Sequence, residues 1–384
     1  MKKILAAAML TALAWGCGGD NSTNSGEPNI SLYPTRGFVD YNDTLQFHVT
    51  VTGTSDDAVI WRTNDITGGD STYGFISASG AYIAPSTTPI GTDSVKITVL
   101  LAADTSLIAH GYAILVDPDK IYVSIFGSDT TGVGSEAFPY RTITKAMTRA
   151  TSGKTVYVGP GDFNIAAGED FPITVNTGIT IHGSGPDSTF ITGPGGVIGD
   201  QTPWTNAAFI TNGDIVTIER LLIRSSNSLG VGIWLRPGIQ TKLTQNTITE
   251  QNIGIYASGA LTPRPVIDGN RLMSDSIGIV TADSIRPVLR NNYIAQCSKY
   301  GLDIRNNSLP DLGINDSTSA GGDTIRDCGD NQYHWLIYNG TPNTISAMGD
   351  YWQVPFIEDN DIYIYDDEES GGSSGPVILV PTRK

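Results

Sequence analysis

The chain has 384 residues, 39 of them acidic and 23 basic, which gives a formal net charge of -16. No basic patch or stripe interrupts that balance, so nucleic acid is not expected as a partner, and polyanions are disfavoured except at local basic spots. Only 16% of residues are charged, 44 are glycine, and few segments carry apolar residues at helical spacing, so an all-β protein of more than one domain is expected.

Lys2 and Lys3 precede an apolar run from Ile4 to Trp15. The run is too short to span a bilayer comfortably and has the layout of a secretory signal. Ala14-Trp15-Gly16-Cys17 resembles the lipobox of bacterial lipoproteins. That resemblance implies a signal peptide over residues 1–17 and lipid attachment at Cys17. Gly18, rather than Asp, after the cysteine implies export to the outer membrane or cell surface. The alternative is an ordinary secretory signal with an incidental cysteine. Residues 18–28 are small and polar, as a flexible tether would be.

Residues 29–117 hold short alternating segments such as "TLQFHVTV" and "SVKITVLL", punctuated by glycine and proline. The spacing suits a sandwich of about seven strands. Trp61 followed by "GFISASGAYIAP" resembles bacterial immunoglobulin-like domains of the group 2 type. No cysteine lies in this stretch, so Trp61 is expected to anchor the core by packing alone. Such modules act as spacers or as adhesive stalks. "VDPDK", residues 116–120, reads as a hinge.

The remainder repeats with a period near 23. Arg264 opens "RPVIDGNRL" and Arg286 opens "RPVLRNNYI", and the two align without a gap. Gly232-Ile233, Gly254-Ile255, Gly278-Ile279 and Gly301-Leu302 recur at the same period, as do Asn246, Asn270 and Asn292. Leu221 takes the asparagine place in a weaker earlier copy, and "DTIRDC" belongs to a later one. Periods in the twenties indicate a solenoid. The L-x-x-L-x-L frame of leucine-rich repeats is absent, and two or three short β segments per copy suit a right-handed parallel β-helix over residues 118–365. The repeated asparagine is expected in a left-handed turn, its amide pairing with the one above as a ladder. "YRTITKAMTRATSGK" supplies an N-terminal helical cap, with Ile143, Ala146, Met147 and Ala150 on one face and Gly153 as its stop. Residues 366–384 read as an acidic C-terminal tail.

"YVSIFGSDTTGVGSEAFPYRTITKAMTRATSGKTVYVGPGDF", with the later "PDLGIND" and "ISAMGDYW", resembles the signatures of a family of exported bacterial β-helix domains of unknown function. That family belongs to the pectate-lyase-like superfamily. The resemblance spans about residues 120–365 and implies architecture more than activity. The chain departs from the family pattern at Gly322-Asp323-Thr324, where a Gly-Asn-Asn run is common.

Cys297 and Cys328 each follow an inward-pointing isoleucine, Ile294 and Ile325, by three residues. They are expected at equivalent places on adjacent coils, either as a disulfide or as stacked free thiols.

Pectate lyases carry an R-x-P-x-x-R stretch with an arginine base, and Arg290 is the candidate that stands in such a stretch here. Because Arg286 and Pro287 recur at Arg264 and Pro265, the plainer reading is structural, with Arg290 paired across strands to Asp268. His182 reads as a turn residue. No Ser-His-Asp set, P-loop or zinc spacing is present. The acidic stretch "IEDNDIYIYDDEES" offers carboxylates to calcium, against the reading of a solvated rim.

The strand after each repeated glycine carries the sharper signal. With Ile233, Ile255, Ile279 and Leu302 inward, alternation turns Trp234, Tyr256, Val280 and Asp303 outward in one column, and Arg236, Ser258, Ala282 and Arg305 outward in the next. Trp234, Arg236, Tyr256, Asp303 and Arg305 suit a sugar chain, aromatic faces packing on rings and charged groups bonding hydroxyls or carboxylates. The alternative is that a loop or the N-terminal module covers this face.

The expectation is a monomeric, non-catalytic surface lipoprotein that touches membrane only through its lipid and binds polysaccharide or a partner protein, with no required cofactor. The alternative is a polysaccharide lyase or glycoside hydrolase acting on a uronic-acid polymer, calcium assisting.

Overall fold

The computed structural model describes residues 27–194, 206–227, 230–236, 241–259, 264–314, 319–329, 335–352 and 363–379. The signal segment, Cys17 and nearly all of the tether lie outside the described residues. By compactness the chain divides into two units, one drawn mainly from residues before 114 and the other holding all that follows. Among the described residues no helix is long and apolar enough to cross a membrane.

In the N-terminal unit short strands pair antiparallel in sheets of two, four and five strands. Phe47, Tyr82, Val95, Ile97 and Val99 are fully buried. Trp61 is 4% exposed and donates its indole N–H to the Ala78 carbonyl at 3.2 Å, so its polar atom is satisfied within the core.

The second unit is a right-handed parallel β-helix. Three parallel sheets run along it, with seven, eight and eight strands among the described residues. Each coil contributes one strand to each sheet in turn. The first sheet starts at Lys120–Val123, the second at Gly161–Asn164 and the third at Ile173–Asn176. Residues one repeat apart sit in register: Ile267 on Leu289, Leu272 on Ile294, Ile255 on Ile279 and Ile279 on Leu302. These inward side chains form one continuous core in which Ile181, Ile218, Ile248, Ile267 and Ile294 are fully buried.

The asparagines form the expected ladder, but not in the expected backbone conformation. The left-handed residues are those just before them: Arg220 at φ 61°, Gln245 at 56°, Gly269 at 66° and Asn291 at 53°. That kink turns the next side chain inward, where it is 1% exposed at Asn246, Asn270 and Asn292. The Oδ1 of Asn270 accepts from the backbone N–H and the Nδ2 of Asn246, both at 3.1 Å, while Nδ2 of Asn270 donates to the Leu243 carbonyl at 2.9 Å. Asn292 repeats the pattern beneath Asn270. Leu221, in the asparagine place one coil earlier, gives only its N–H, to Asn246 Oδ1 at 3.1 Å. A buried turn thereby satisfies polar groups that would otherwise cost about 1–3 kcal/mol each.

The repeated glycine has a different cause. A Cβ on Gly278 would lie 2.6 Å from Ile294 Cγ2 and 2.7 Å from the Gly301 carbonyl oxygen, and Gly254 and Gly301 are equally confined. The backbone passes so close to the inner isoleucine that only hydrogen fits.

The N-terminal cap is a helix over Ile143–Met147, shorter than the spacing suggests, with Ile143 and Ala146 fully buried. Thr142 caps it, accepting from Lys145 N–H at 3.0 Å. Glu169 accepts from the Ile143 and Thr144 N–H groups at 2.6 and 3.0 Å, and burial raises its pKa despite these bonds.

Cys297 and Cys328 occupy equivalent places on adjacent coils and are free, buried thiols rather than a disulfide. Residues 366–379 are not a loose tail. Val377–Ile378 pairs in parallel with Ile345–Ser346, and Val377 and Leu379 join the core, because alternate apolar residues there supply one more inward face. Asp366 is 6% exposed and accepts the Val377 N–H at 2.7 Å, so this carboxylate organises the return. Residues 357–362 of the acidic stretch considered for calcium lie outside the described residues. Among the described residues no group of three or more His, Cys, Asp and Glu is placed to hold a metal ion.

Candidate functional site on the third sheet

Along the outer face of the third sheet one column reads Ile210, Trp234, Tyr256, Val280, Asp303, Tyr338, Tyr365, one residue per coil. Strand alternation turns this column away from the core. Beside it Val231, Ile253, Ile277 and Tyr300 form a parallel column. Together they make a second apolar cluster, separate from the interior, against which Trp234, Tyr256, Trp335 and Tyr338 pack.

All five residues expected from the sequence lie on this face, but not as an evenly open strip. Trp234 and Tyr256 are half-buried, while Val280 is fully buried and Asp303 is 2% exposed. The Arg236 guanidinium lies 5.5 Å from the Trp234 ring centroid and donates to Asn212 Oδ1 at 3.0 Å. Further along, Arg305 donates through Nε and Nη2 to Asp303 Oδ2 at 3.0 and 2.6 Å. Burial opposes the charge on Arg305, but the bond and charge of Asp303 outweigh it and raise its pKa. The other carboxylate oxygen of Asp303, Oδ1, is buried with no hydrogen-bond partner. Burial first, and then the Asp283 and Asp303 charges, hold the Tyr256 hydroxyl above its ordinary pKa, against the opposing Arg305 charge.

The sequence reading missed the strongest aromatic contacts. Tyr338 stacks on Tyr365 at 4.4 Å with 15° between the ring planes, and on Tyr300 at 5.1 Å with 28°. Trp335 meets Tyr365 edge-on at 5.6 Å. Tyr338 and Tyr365 follow the last repeated glycine, so the period gave no register for them. Tyr300 carried a signal, standing directly before Gly301.

Arg290 is engaged elsewhere. It does not pair with Asp268, whose Oδ1 accepts from Asn291 Nδ2 at 3.0 Å. Arg290 instead binds Asp311 Oδ1 at 2.9 Å, the Asp311 carbonyl at 2.8 Å, Ser319 Oγ at 2.7 Å and the Leu289 carbonyl. Arg264 holds the other oxygen of Asp311 at 2.8 Å. Burial alone would raise the pKa of Asp311, but bonds from Ser319, Arg290 and Arg264 bring it below the ordinary carboxylate value. The two repeated arginine stretches thus meet on one aspartate, a structural clamp. His182 is also not in a turn: it lies within the strand Thr180–Gly183 and pairs with Glu219.

Solved structures with similarity to the chain include a pectin methylesterase variant in complex with a hexasaccharide, at 13% identity, TM-score 0.34, covering 64% of this chain and 80% of that one. Escherichia coli YbhC matches at 12% identity and TM-score 0.38, covering 61% and 72%. The catalytic unit of a thermostable α-1,3-glucanase from Streptomyces thermodiastaticus matches at 13% identity and TM-score 0.29, covering 76% and 74%. Among curated proteins no relative matches the sequence. The model of one family, described as "Protein of unknown function (DUF1565)", matches residues 125–356, more than half of the chain, and the chain therefore belongs to that family.

Proposed function

We propose that the chain is a non-catalytic, surface-held β-helix that binds a polysaccharide along the outer face of its third sheet. The observation that carries this reading is the continuous aromatic stack of Tyr300, Tyr338 and Tyr365 beside the Asp303–Arg305 pair. Aromatic carbon packs on the apolar faces of sugar rings. Arg305 keeps 42% of its side chain exposed and offers fixed donors to hydroxyls or carboxylates. Trp234 and Tyr256 extend the face by two coils. The remaining parts of the reading follow from sequence: export, lipid attachment at Cys17, an immunoglobulin-like spacer over residues 29–117, and action as a monomer at the outer membrane or cell surface.

A glycan array with the purified mature protein tests it. Binding to an extended polysaccharide is expected and is lost in the Tyr338→Ala/Tyr365→Ala double variant and weakened in Trp234→Ala/Tyr256→Ala. Binding unchanged in both folded double variants removes the site. Release of unsaturated products from a uronic-acid polymer would move the assignment to a lyase, a reading that the engagement of Arg290 by Asp311 and Ser319 does not favour.

A further inference from the structure

The first sheet carries a second outward column, Tyr122, Tyr157, His182 and Glu219, one residue per coil. Tyr122 and Tyr157 stack at 5.4 Å with 20° between their planes, and Tyr157 lies 5.3 Å from the His182 ring. His182 Nδ1 sits 2.7 Å from Glu219 Oε1, which fixes the ring and leaves Nε2 for another partner. The segment after the first strand brings Glu136 and Pro139 over this column. With Tyr122, Tyr157, His182 and Ser184 they border a cavity of about 320 Å³. That is the lower end of the range of small-molecule pockets and matches one ring-sized ligand.

The lining states what such a ligand can be. Two tyrosines and a proline offer apolar surface, and the tyrosine, serine and histidine polar atoms offer bonds to hydroxyls. No lysine or arginine is among the residues bordering the cavity. Glu136 adds negative charge there: burial, and after it the Glu136 carboxylate, raise the pKa of Tyr122. A ligand carboxylate would meet Glu136, and Lys120, whose charge also reaches Tyr122, is already paired with Asp117 at 2.9 Å. We propose that this cavity is a second binding site, separate from the third-sheet face, for a single pyranose unit that is neutral or carries an amine.

Titration of the full mature chain by ligand-observed NMR and calorimetry, with methyl glucoside, glucosamine and galacturonate as probes, tests the assignment. Methyl glucoside and glucosamine bind saturably, with dissociation constants on the order of 1 mM, and galacturonate does not. Tyr157→Ala weakens both ligands roughly tenfold, Glu136→Gln admits galacturonate, and Trp234→Ala/Tyr256→Ala leaves both affinities unchanged. Equal binding of galacturonate and methyl glucoside overturns the proposal, as does absence of saturable binding of any probe. It is also overturned if Tyr157→Ala binds as the parent does, or if the third-sheet double variant abolishes binding. Should Tyr157→Ala fail to fold, Tyr157→Leu and the imidazole resonances of His182 decide: no shift of those resonances on adding methyl glucoside sinks the site.

Discussion

Asp323 stands where the three preceding coils carry asparagine, with its Oδ1 at 2.8 Å from both the backbone nitrogen and the Nδ2 of Asn292. One coil further Asp350 repeats the substitution, its Oδ1 accepting the Gly322 and Asp323 N–H groups at 2.9 Å. The acids continue the ladder as acceptors. Neither second oxygen has a hydrogen-bond partner in the position where an asparagine Nδ2 would donate.

This end of the ladder is expected to be alkali-sensitive. Unfolded, both acids ionise near pH 4, to within about a unit. Folded, burial pushes Asp323 up to about 7 and Asp350 up to about 9, and the Asp323 charge adds to the second shift. The folded chain therefore keeps protons that the unfolded chain has released, and stability falls as pH rises from the unfolded value through the folded ones. The Asp323→Asn/Asp350→Asn variant is expected to gain on the order of 1–3 kcal/mol at pH 8 and nothing at pH 4. Urea unfolding across that range measures it, and equal slopes for the two proteins would refute the assignment.

Gly278→Ala is expected to destabilise by about 1–3 kcal/mol, because the added methyl meets Ile294 and the next coil's backbone in a packed interior. The double change Gly278→Ala/Ile294→Val is expected to be less stable still, because valine keeps the colliding γ methyl and loses only Cδ1, which leaves a gap. Thermal melts of the two variants check the order.

The thiols of Cys297 and Cys328 are expected to be silent in the native protein. The hydrogen bond to Cys328, and burial with it, hold the Cys297 thiol well above its ordinary value, although the same contact lowers that of Cys328. With 1% and 7% exposure neither is open to attack. An alkylating reagent at pH 8 should label neither until denaturant is added, as read by mass spectrometry of the peptides holding them. Labelling of Cys328 in the folded state would contradict this.

Removing Arg305 is expected to cost more than an exposed ion pair would. Arg305→Ala leaves Asp303, with 3% of its side chain exposed, charged and unpaired, a loss on the order of 1–3 kcal/mol. Asp303→Asn with Arg305→Ala is expected to restore most of it, and a double-mutant cycle in urea gives the coupling. Additive losses would indicate that the pair is not coupled.

The coiling was legible because the interior asks for the same residue type every coil: Ile255, Ile279 and Leu302, or Asn246, Asn270 and Asn292. The left-handed turn residues were not, since Arg220, Gln245 and Asn291 share a backbone angle but no side-chain type. His182 and Glu219 were missed for lack of a period: 37 residues separate them in a coil that precedes the regular repeats. The Val377–Ile378 return was masked by the acidic stretch before it, although alternation of Val377 and Leu379 was there to read.

Asn270 and Asn292 each present the same acceptor to one neighbour and the same donors to the other. A layer inserted or deleted between them would therefore find both of its surfaces already matched. Length in such a molecule is open to change in whole storeys of some two dozen residues, while the spacing between aromatic platforms on its flank stays fixed by the height of a storey. A longer descendant would carry more platforms along that flank, each set at the same height above the last as the present ones are.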